Sequence, residues 1–453
     1  MLYLKALVPK VRLYVVHASC MHDVAQVRKH LRYVALGSMA RLGRCAPYSL
    51  DASRAISSNS AAGDAFRVRV LPNPAAAPPH EAYEAQHVIS ERAHARAHAR
   101  VRAWPEFAPT VTVSLPEVAL ACGVASVHAK LEGSRCGLGS FKALGGGLAV
   151  DVLADQHGGW DAGLTVTTAS AGNHGLAVAW GAQRRNVRCV IFVHENVGDA
   201  VCARMDGFGA EVRRVPGDYN DSVEACKTTA AAEGSAWHML QDVSWDGYTE
   251  VPTTIWQGYS TVASEMVEDL GGEELPTHVL VNAGVGGFAA SVCGWFWDTH
   301  GAARPRFVCV EPDEAACLME SGKHGCASEA VGGGDTIQTG LNCAAAAPLA
   351  WEVLERGVND FVSIGDECVG PCLRLLAETH VGEHSGIIGG ASGVAGLGVL
   401  LAAAEDPALA KQLQLDAHSR VALVVCEGAV EPELFEKLVG TSAETLRRGG
   451  ALE

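Results

Sequence analysis

A single lysine, Lys142, lies within the glycine-rich stretch "GLGSFKALGGG", residues 137–147. No residue of this stretch carries a charge that could pair with its ammonium group. An amine in a mostly apolar pocket loses solvation, and the neutral amine is a nucleophile that forms a Schiff base with an aldehyde. The alternative is a surface lysine on a loop, which is where most lysines are found. Lys142 is therefore a candidate nucleophile.

Three other glycine-containing loops could complete a site: "SAGNHG" (170–175), "GVGGF" (284–288) and "CEG" (426–428). Small residues allow backbone N–H groups to converge on an anion at a helix N-terminus, so "GVGGF" predicts either a phosphate site or a plain tight connection. It has no P-loop lysine and no G-x-G-x-x-G accompanies it, which disfavours a nucleotide. Pyridoxal phosphate needs an amine, a phosphate cradle and a partner for its ring nitrogen, and these loops offer all three.

The four loops are placed by an alternation of strand-like and helix-like segments. "LTVTTAS" leads into "AGNHGLAVAWGAQ", "HVLVNAG" into "GGFAASVCGWFW", and "VALVVCEG" ends the series. Short β-branched runs that end in glycine and continue into a helix indicate βα units and a parallel sheet, hence the α/β class. Ligands of such sheets bind at the carboxyl ends of the strands, where all the candidate loops lie.

Composition narrows the class of function. The chain has 453 residues, a net charge of −16 and 15 cysteines without a CxxC pair. The negative charge argues against nucleic acid or an anionic membrane as a partner, and no apolar run approaches the about 18 residues of a membrane span. Free thiols in a reducing compartment, and thus a cytoplasmic location, are expected.

The N-terminal residues 1–65 differ from the rest. The first 60 residues hold nine Lys or Arg against Asp23 and Asp51, a balance of +7 that leaves −23 for the remainder. This basic, acid-poor extension resembles a transit peptide for mitochondria or another organelle. A poorly ordered extension or a wrongly assigned start codon would look the same.

One pair of histidines has a spacing that could indicate a metal site. His94 and His98 are spaced i and i+4 in "ERAHARAHAR", a spacing that could bind zinc. Arginines crowd this segment, and no acid or cysteine completes a ligand set. We expect solvated helix surface and no metal site.

Several motifs together resemble a known family. "LEGSRCGLGSFKALGGG", "TTASAGNHGLAVAWGAQ", "VNAGVGGF" and "ASGVAGLGVL" occur in the order of fold-type II pyridoxal-phosphate enzymes, the tryptophan synthase β-like class. "QDVSWDGYTEVPTTIWQGYSTVASE", "GDYNDSV" and "DTIQTGLNC" are similar to the diaminopropionate ammonia-lyase family. The resemblance extends from about residue 66 to about residue 439 and implies pyridoxal 5'-phosphate as the cofactor.

The resemblance implies a role for each matching residue. Lys142 corresponds to the Schiff-base lysine and Phe141 to the residue beside the cofactor ring. Asn173 corresponds to the partner of the cofactor 3-hydroxyl, and Cys426 to a neutral partner of the ring nitrogen. The phosphate cradle would be Gly284, Val285, Gly286 and Gly287, and the substrate carboxylate would bind Ser170, Ala171, Gly172, Asn173 and His174.

The family uses two aspartates as acid–base groups, and this chain matches one of them. Asp242 in "LQDVSW" is that aspartate, although an aspartate in this segment could also cap a turn. The other belongs in a loop of the form "TDGNHG", where this chain has Ala171. A methyl group cannot take a proton, so one enantiomer of the substrate should react poorly. The "SAGNHG" form is nearer to serine and threonine dehydratases.

The resemblance also implies an activity and an architecture. We expect α,β-elimination from 2,3-diaminopropionate to pyruvate and ammonia, with serine or threonine ammonia-lyase, or a non-catalytic cofactor-binding relative, as alternatives. Two three-layer α/β/α domains would enclose the site in a cleft, and a homodimer is expected. The larger domain would comprise 66–145 and 230–445, and the smaller, inserted domain 146–229.

Overall fold

The computed structural model describes residues 66–158, 163–272 and 274–453. The predicted N-terminal extension, 1–65, lies outside these residues.

Eleven strands in this part of the chain form two sheets. The strands are β1 (Val68–Pro72), β2 (Thr112–Ser114), β3 (Ser126–Leu131), β4 (Thr165–Ala169), β5 (Arg188–His194), β6 (Glu211–Val215), β7 (Trp237–Met239), β8 (His278–Asn282), β9 (Arg306–Pro312), β10 (Asp360–Ile364) and β11 (Arg420–Val425).

The larger sheet has seven strands in the order β1-β10-β9-β8-β11-β3-β2. Only the edge strands β1 and β2 pair antiparallel to their neighbours. The register places Asn282 opposite Val310 and Val425 opposite Leu131. The carboxyl ends of the parallel strands therefore meet at one edge of the sheet, as the sequence predicted.

The smaller sheet has four strands in the order β6-β5-β4-β7, and all of its pairings are parallel. Its two central strands, β4 and β5, are rich in buried Val, Ile and Thr, which is typical of parallel strands covered on both faces. Ala169 ends β4 opposite Phe192, and the "SAGNHG" loop follows directly.

Helices cover both sheets. They are α1 (Glu91–Arg102), α2 (Pro116–Cys122), α3 (Lys142–His157), α4 (Asn173–Arg185), α5 (Asp199–Asp206), α6 (Tyr219–Glu233), α7 (Glu250–Tyr259), α8 (Thr261–Asp269), α9 (Gly287–His300), α10 (Cys317–His324), α11 (Pro348–Gly357), α12 (Val369–Glu378), α13 (Ala395–Glu405), α14 (Pro407–Gln412), α15 (Pro432–Val439) and α16 (Ala443–Arg448).

Alternate residues of the strands face different hydrophobic cores. In β8, Val279 and Val281 belong to the core that includes α9 and α11, whereas Leu280 belongs to the core that includes α12 and α13. In β5, Ile191 and Phe192 likewise face opposite sides of the smaller sheet. Each sheet is thus a layer between helices, which confirms the predicted α/β class with mainly parallel sheets.

The three consecutive glycines of α3 permit helices to pack closely behind Lys142. A Cβ atom on Gly146 would lie 2.8 Å from the Cβ of Ala177 in α4, and one on Gly145 would overlap the ring of Tyr259 in α7. Glycine inside a helix costs up to about 1 kcal/mol relative to alanine, so the close helix contacts must offset this cost. The sequence "GGG" after Lys142 is therefore explained by packing.

The predicted inserted domain, 146–229, differs in extent from the smaller sheet. Strands β4, β5 and β6 lie inside that range, but β7 lies beyond residue 229, and α3 continues across residue 146 without a break. We propose that the insertion ends near Met239, because β7 pairs with β4.

One expectation about the surface is wrong. His94 was expected on solvated helix surface, but it is buried, and its Nδ1 lies 2.8 Å from the Ser260 Oγ. Burial lowers the pKa of His94 to about 4, so this imidazole is neutral.

Within the described residues, no group of three or more His, Cys, Asp and Glu side chains is placed to hold a metal ion. No helix in the same part of the chain has the length and apolarity to cross a membrane.

Candidate functional site

Lys142, the first residue of α3, forms an ion pair with a residue 100 positions further along the chain. Its Nζ contacts the Oδ2 of Asp242, and the side chains are 24% and 16% exposed. The same Oδ2 accepts a hydrogen bond from the Tyr259 hydroxyl at 3.3 Å, and lies 3.8 Å from Nδ1 of His174. Lys142 therefore has a charged partner, which its own segment did not indicate.

The charges around Asp242 keep it ionised. Burial opposes its ionisation, but the positive charge and the hydrogen bond of Lys142 beside it favour the carboxylate, and the pKa of Asp242 lies well below its usual value. Burial also lowers the pKa of His174, so at neutral pH this imidazole is neutral. The ammonium of Lys142 is then the charge that sustains the Asp242 carboxylate.

Aromatic side chains form one wall beside the lysine. The ring of Phe141 lies 4.1 Å from that of Phe288 and 4.7 Å from that of Tyr259, measured between centroids. The Nζ of Lys142 lies 5.3 Å from the centroid of Phe141. Trp256 donates a hydrogen bond from Nε1 to the Asp242 carbonyl at 3.0 Å. Phe141 is thus beside the candidate nucleophile, and Phe288 joins it to the "GVGGF" loop.

The "GVGGF" loop connects β8 to the N-terminus of α9. Gly286 has φ +103°, in the left-handed region that favours glycine. A Cβ on Gly284 would lie 2.8 Å from the Cys343 sulfur, and one on Gly287 would overlap the indole of Trp256. Among the hydrogen bonds of the described residues, none uses the N–H groups of Gly286, Gly287 or Phe288. These N–H groups remain available to an anion at the positive end of the helix.

The "SAGNHG" loop connects β4 to α4 and begins that helix at Asn173. Ser170 accepts a hydrogen bond on its Oγ from the N–H of Gly172 at 3.3 Å. His174 is buried, with its Nε2 2.8 Å from the Leu240 carbonyl. Ala171 is partly exposed and contributes only a methyl group to the loop. The loop offers hydroxyl and N–H donors but no acid.

Cys426 is a buried thiol at the carboxyl end of β11. Its Sγ donates to the Ser392 carbonyl at 3.4 Å, and Asn282 Nδ2 lies 3.9 Å from the same sulfur. Burial and then the charge of Glu427 raise the pKa of Cys426 well above its usual value, so the thiol is neutral. The Cys426 carbonyl accepts the N–H of Phe141 at 3.3 Å, which joins this loop to the lysine loop.

The predicted residues of all four loops are therefore connected through direct contacts. Lys142 contacts Asp242, His174 lies beside that carboxylate, Phe141 packs on Phe288, and Cys426 bonds to Phe141. The residues that the sequence interpretation missed are Tyr259, Trp256, Ser392, Asn282 and Glu427. Glu427 was visible as the only acid of the "CEG" loop, whereas Tyr259 lay unassigned within the longest family motif.

These residues fit pyridoxal phosphate. A helix N-terminus with free N–H groups, in a loop whose glycines leave no room for a Cβ against Cys343 and Trp256, suits a phosphate. The lysine amine suits the aldehyde of the cofactor, and the aromatic wall suits its ring. The neutral thiol suits the ring nitrogen. Gly284, Val285, Gly286 and Gly287 would hold the phosphate, and Lys142 would hold the aldehyde carbon.

Comparison with known proteins gives the same assignment. The family described as pyridoxal-phosphate dependent enzyme matches residues 103–427. The diaminopropionate ammonia-lyase of Escherichia coli K12 is 33% identical over 353 residues, 74% of this chain and 87% of that protein. The biosynthetic L-threonine dehydratase of Staphylococcus aureus is 27% identical over 239 residues, 52% of this chain and 53% of that protein.

A solved structure shows the same similarity in three dimensions. The E. coli diaminopropionate ammonia-lyase in complex with an aminoacrylate–pyridoxal phosphate azomethine reaction intermediate matches with a TM-score of 0.74 and 31% identity. The match covers 83% of this chain and 97% of that chain. The region matched by the family, residues 103–427, contains every predicted site residue.

Proposed function

Because this chain belongs to the diaminopropionate ammonia-lyase family of pyridoxal-phosphate dependent enzymes, we propose that it converts 2,3-diaminopropionate to pyruvate and ammonia. Elimination releases one ammonia from the β-carbon, and hydrolysis of the remaining enamine releases the second. The cofactor is pyridoxal 5'-phosphate. The contact between Lys142 and Asp242 is the observation that supports this proposal most directly.

Each loop has a part in this reaction. When bound, pyridoxal phosphate supplies an aldehyde that bonds to amines and a ring that accepts the electron pair left at the substrate Cα. The N-terminus of α9 would hold its phosphate, and Ser170–His174 would hold the substrate carboxylate through N–H and hydroxyl donors. As a neutral amine, Lys142 Nζ would remove the Cα proton of the bound substrate. General-base assistance of this kind contributes about 10²- to 10⁴-fold.

Asp242 favours a charged leaving group. The β-amine of diaminopropionate is an ammonium at neutral pH and departs as ammonia without gaining a proton. The hydroxyl of serine, in contrast, must be protonated as it leaves. Since Lys142 holds the pKa of Asp242 low, Asp242 is suited to steer an ammonium and poorly suited to donate a proton. This charge state favours diaminopropionate over serine.

The second candidate is a serine or threonine ammonia-lyase on the same scaffold. Ala171 favours it, because the loop "SAGNHG" has a methyl group where the family has its second aspartate. A non-catalytic relative that binds the cofactor is disfavoured because the chain retains Lys142, which pure binding would not require.

A substrate panel separates these functions. The purified protein with pyridoxal phosphate is given each enantiomer of 2,3-diaminopropionate, L-serine or L-threonine, and pyruvate or 2-oxobutyrate is measured. We expect the highest kcat/KM on one enantiomer of diaminopropionate. Faster turnover of serine or threonine would establish the second candidate, and no product from any of them would contradict both enzymes.

The oligomeric state and the cellular location of the protein remain predictions. A homodimer is proposed from the family resemblance, and light scattering on a sizing column would measure it. The cytoplasmic location, or delivery to mitochondria or another organelle by residues 1–65, is tested by imaging the full chain fused at its C-terminus to a fluorescent protein.

A further inference from the structure

A buried carboxylate, Glu427, lies next to Cys426 and is not part of the proposed chemistry. It is 4% exposed. Its Oε2 accepts a hydrogen bond from Nδ2 of Asn173 at 2.8 Å, and its Oε1 accepts the N–H of Ser392 at 3.1 Å. In the described residues, Glu427 has no ion pair within 4.0 Å, so neutral donors alone satisfy this acid. Burying a carboxylate without a cation costs free energy, so we expect Glu427 to have a specific role.

The backbone around Glu427 leaves room for its side chain and fixes its position. A Cβ on Gly390 would lie 2.6 Å from the Glu427 Cγ and 2.7 Å from its Oε1, so only glycine leaves the space. The Glu427 backbone forms a bridge with Ser140, and the N–H of Gly428 donates to the Gly139 carbonyl at 3.0 Å. Glu427 is thereby fixed to the loop that carries Lys142.

The contact with Asn173 crosses from one sheet to the other. Asn173 begins the helix that follows β4 of the smaller sheet, and Glu427 follows β11 of the larger sheet. Burial raises the pKa of Glu427, whereas the hydrogen bonds that its two oxygens accept from Ser392 and Asn173 favour the ionised form. The amide of Asn173 has two N–H donors and one carbonyl acceptor, whereas an ionised carboxylate only accepts. Glu427 therefore selects the orientation in which Nδ2 faces it and the carbonyl points away. Turning the amide over would place two acceptors against each other.

We propose that Glu427 is a positioning residue that holds the Asn173 amide so that an N–H, and not the carbonyl, faces the 3-oxygen of bound pyridoxal phosphate. This rests on the role proposed for Asn173 as the partner of that oxygen. A facing N–H stabilises the 3-oxygen as an anion, the form that gives the bound cofactor its visible absorption band. A facing carbonyl would instead favour the protonated 3-hydroxyl, which absorbs in the near ultraviolet.

The first test is the absorption spectrum of Glu427→Gln loaded with pyridoxal phosphate. A glutamine can donate to or accept from the amide, so the orientation is no longer fixed, and the ratio of visible to near-ultraviolet absorbance should fall about 5-fold or more. Asp360→Asn is the control for loss of a buried carboxylate elsewhere in the larger sheet, because Asp360 lies at the start of β10 and pairs with Arg306. Its ratio should equal that of the unchanged protein.

The second test asks whether Glu427 acts through Asn173. In the Asn173→Ala background, Glu427→Gln should cause no further change in the absorbance ratio. If circular dichroism shows that Glu427→Gln does not fold, Glu427→Asp replaces it, since it keeps the charge but withdraws the carboxylate by one methylene. An unchanged ratio in the single variant, or an equal change in the Asn173→Ala background, would overturn the proposal.

Neither measurement uses a substrate, so its result is separate from that of the substrate panel. Elimination on the wrong amino acid would refute the proposed function and leave the role of Glu427 intact. A protein that forms no visible band at all with pyridoxal phosphate would overturn both the Lys142 assignment and the role of Glu427.

Discussion

The Lys142–Asp242 pair gives the most detailed prediction, through the variant Asp242→Asn. The substitution keeps the size of the side chain and its hydrogen bonds but removes the charge that faces Lys142, His174 and Tyr259. Loss of an acid–base or steering group should lower kcat by about 10²- to 10⁴-fold, or about 3 to 5 kcal/mol in activation free energy.

The same substitution should affect stability in a pH-dependent way. Removing one partner of a largely buried pair leaves Lys142 uncompensated, and we expect a loss of about 1 to 3 kcal/mol in the free energy of unfolding of the cofactor-free protein. The pKa of Asp242 is lower in the folded than in the unfolded chain. Its stabilisation is therefore complete above about pH 4 and is lost as the pH falls through the folded value. The difference between variant and unchanged protein should shrink in acid.

The assay couples pyruvate release to lactate dehydrogenase and follows NADH absorbance, with urea unfolding measured in parallel at several pH values. Asp246→Asn is the matched control, since Asp246 is an exposed aspartate four residues away in the same segment. It should match the unchanged protein in both measurements. If Asp242→Asn keeps kcat within about 3-fold, well below the loss of about 10²-fold or more expected for this substitution, the role of Asp242 in steering the leaving ammonium is refuted.

Three further predictions concern the loops around the lysine. Ala171→Asp should raise kcat/KM for the slower enantiomer of diaminopropionate by about 10-fold or more; an unchanged enantiomer ratio would show that position 171 does not face the substrate. Gly287→Ala should displace Trp256 and weaken binding of pyridoxal phosphate by about 10-fold or more in equilibrium dialysis, whereas Gly198→Ala, with open space around it, should have no effect. Iodoacetamide should modify the exposed Cys326 well before the buried Cys426 in the folded protein, as read by peptide mass spectrometry; equal rates would contradict a buried neutral thiol.

The parallel sheets and the positions of the four loops could be predicted from the sequence for a physical reason. Buried parallel strands are nearly continuous apolar runs, and each ends at a glycine where a helix must begin, so "HVLVNAG" and "VALVVCEG" show both the element and its edge. The order of the strands within each sheet carried no such local signal. The predicted end of the insertion at residue 229 missed β7, a strand of three residues that is too short for a periodic pattern.

Only part of the site could be predicted, because several of its residues are distant from one another in sequence. Glycine loops and Lys142 are local signals, whereas the partner of Lys142 is 100 residues away and nothing near Lys142 indicates it. His94 was misjudged because arginines surround it in sequence, while in the fold it faces Ser260 and a tryptophan. Glu427 was visible in the "CEG" loop but was not assigned a role, because an acid beside a glycine usually indicates a turn.

The most direct test of the account is chemical trapping of the lysine. The purified protein is loaded with pyridoxal phosphate, reduced with borohydride, digested and analysed by mass spectrometry. We expect a phosphopyridoxyl group on Lys142, in the peptide containing "GSFKALGGG", and its absence in Lys142→Ala. A stable adduct on another lysine, or none on Lys142, would contradict it.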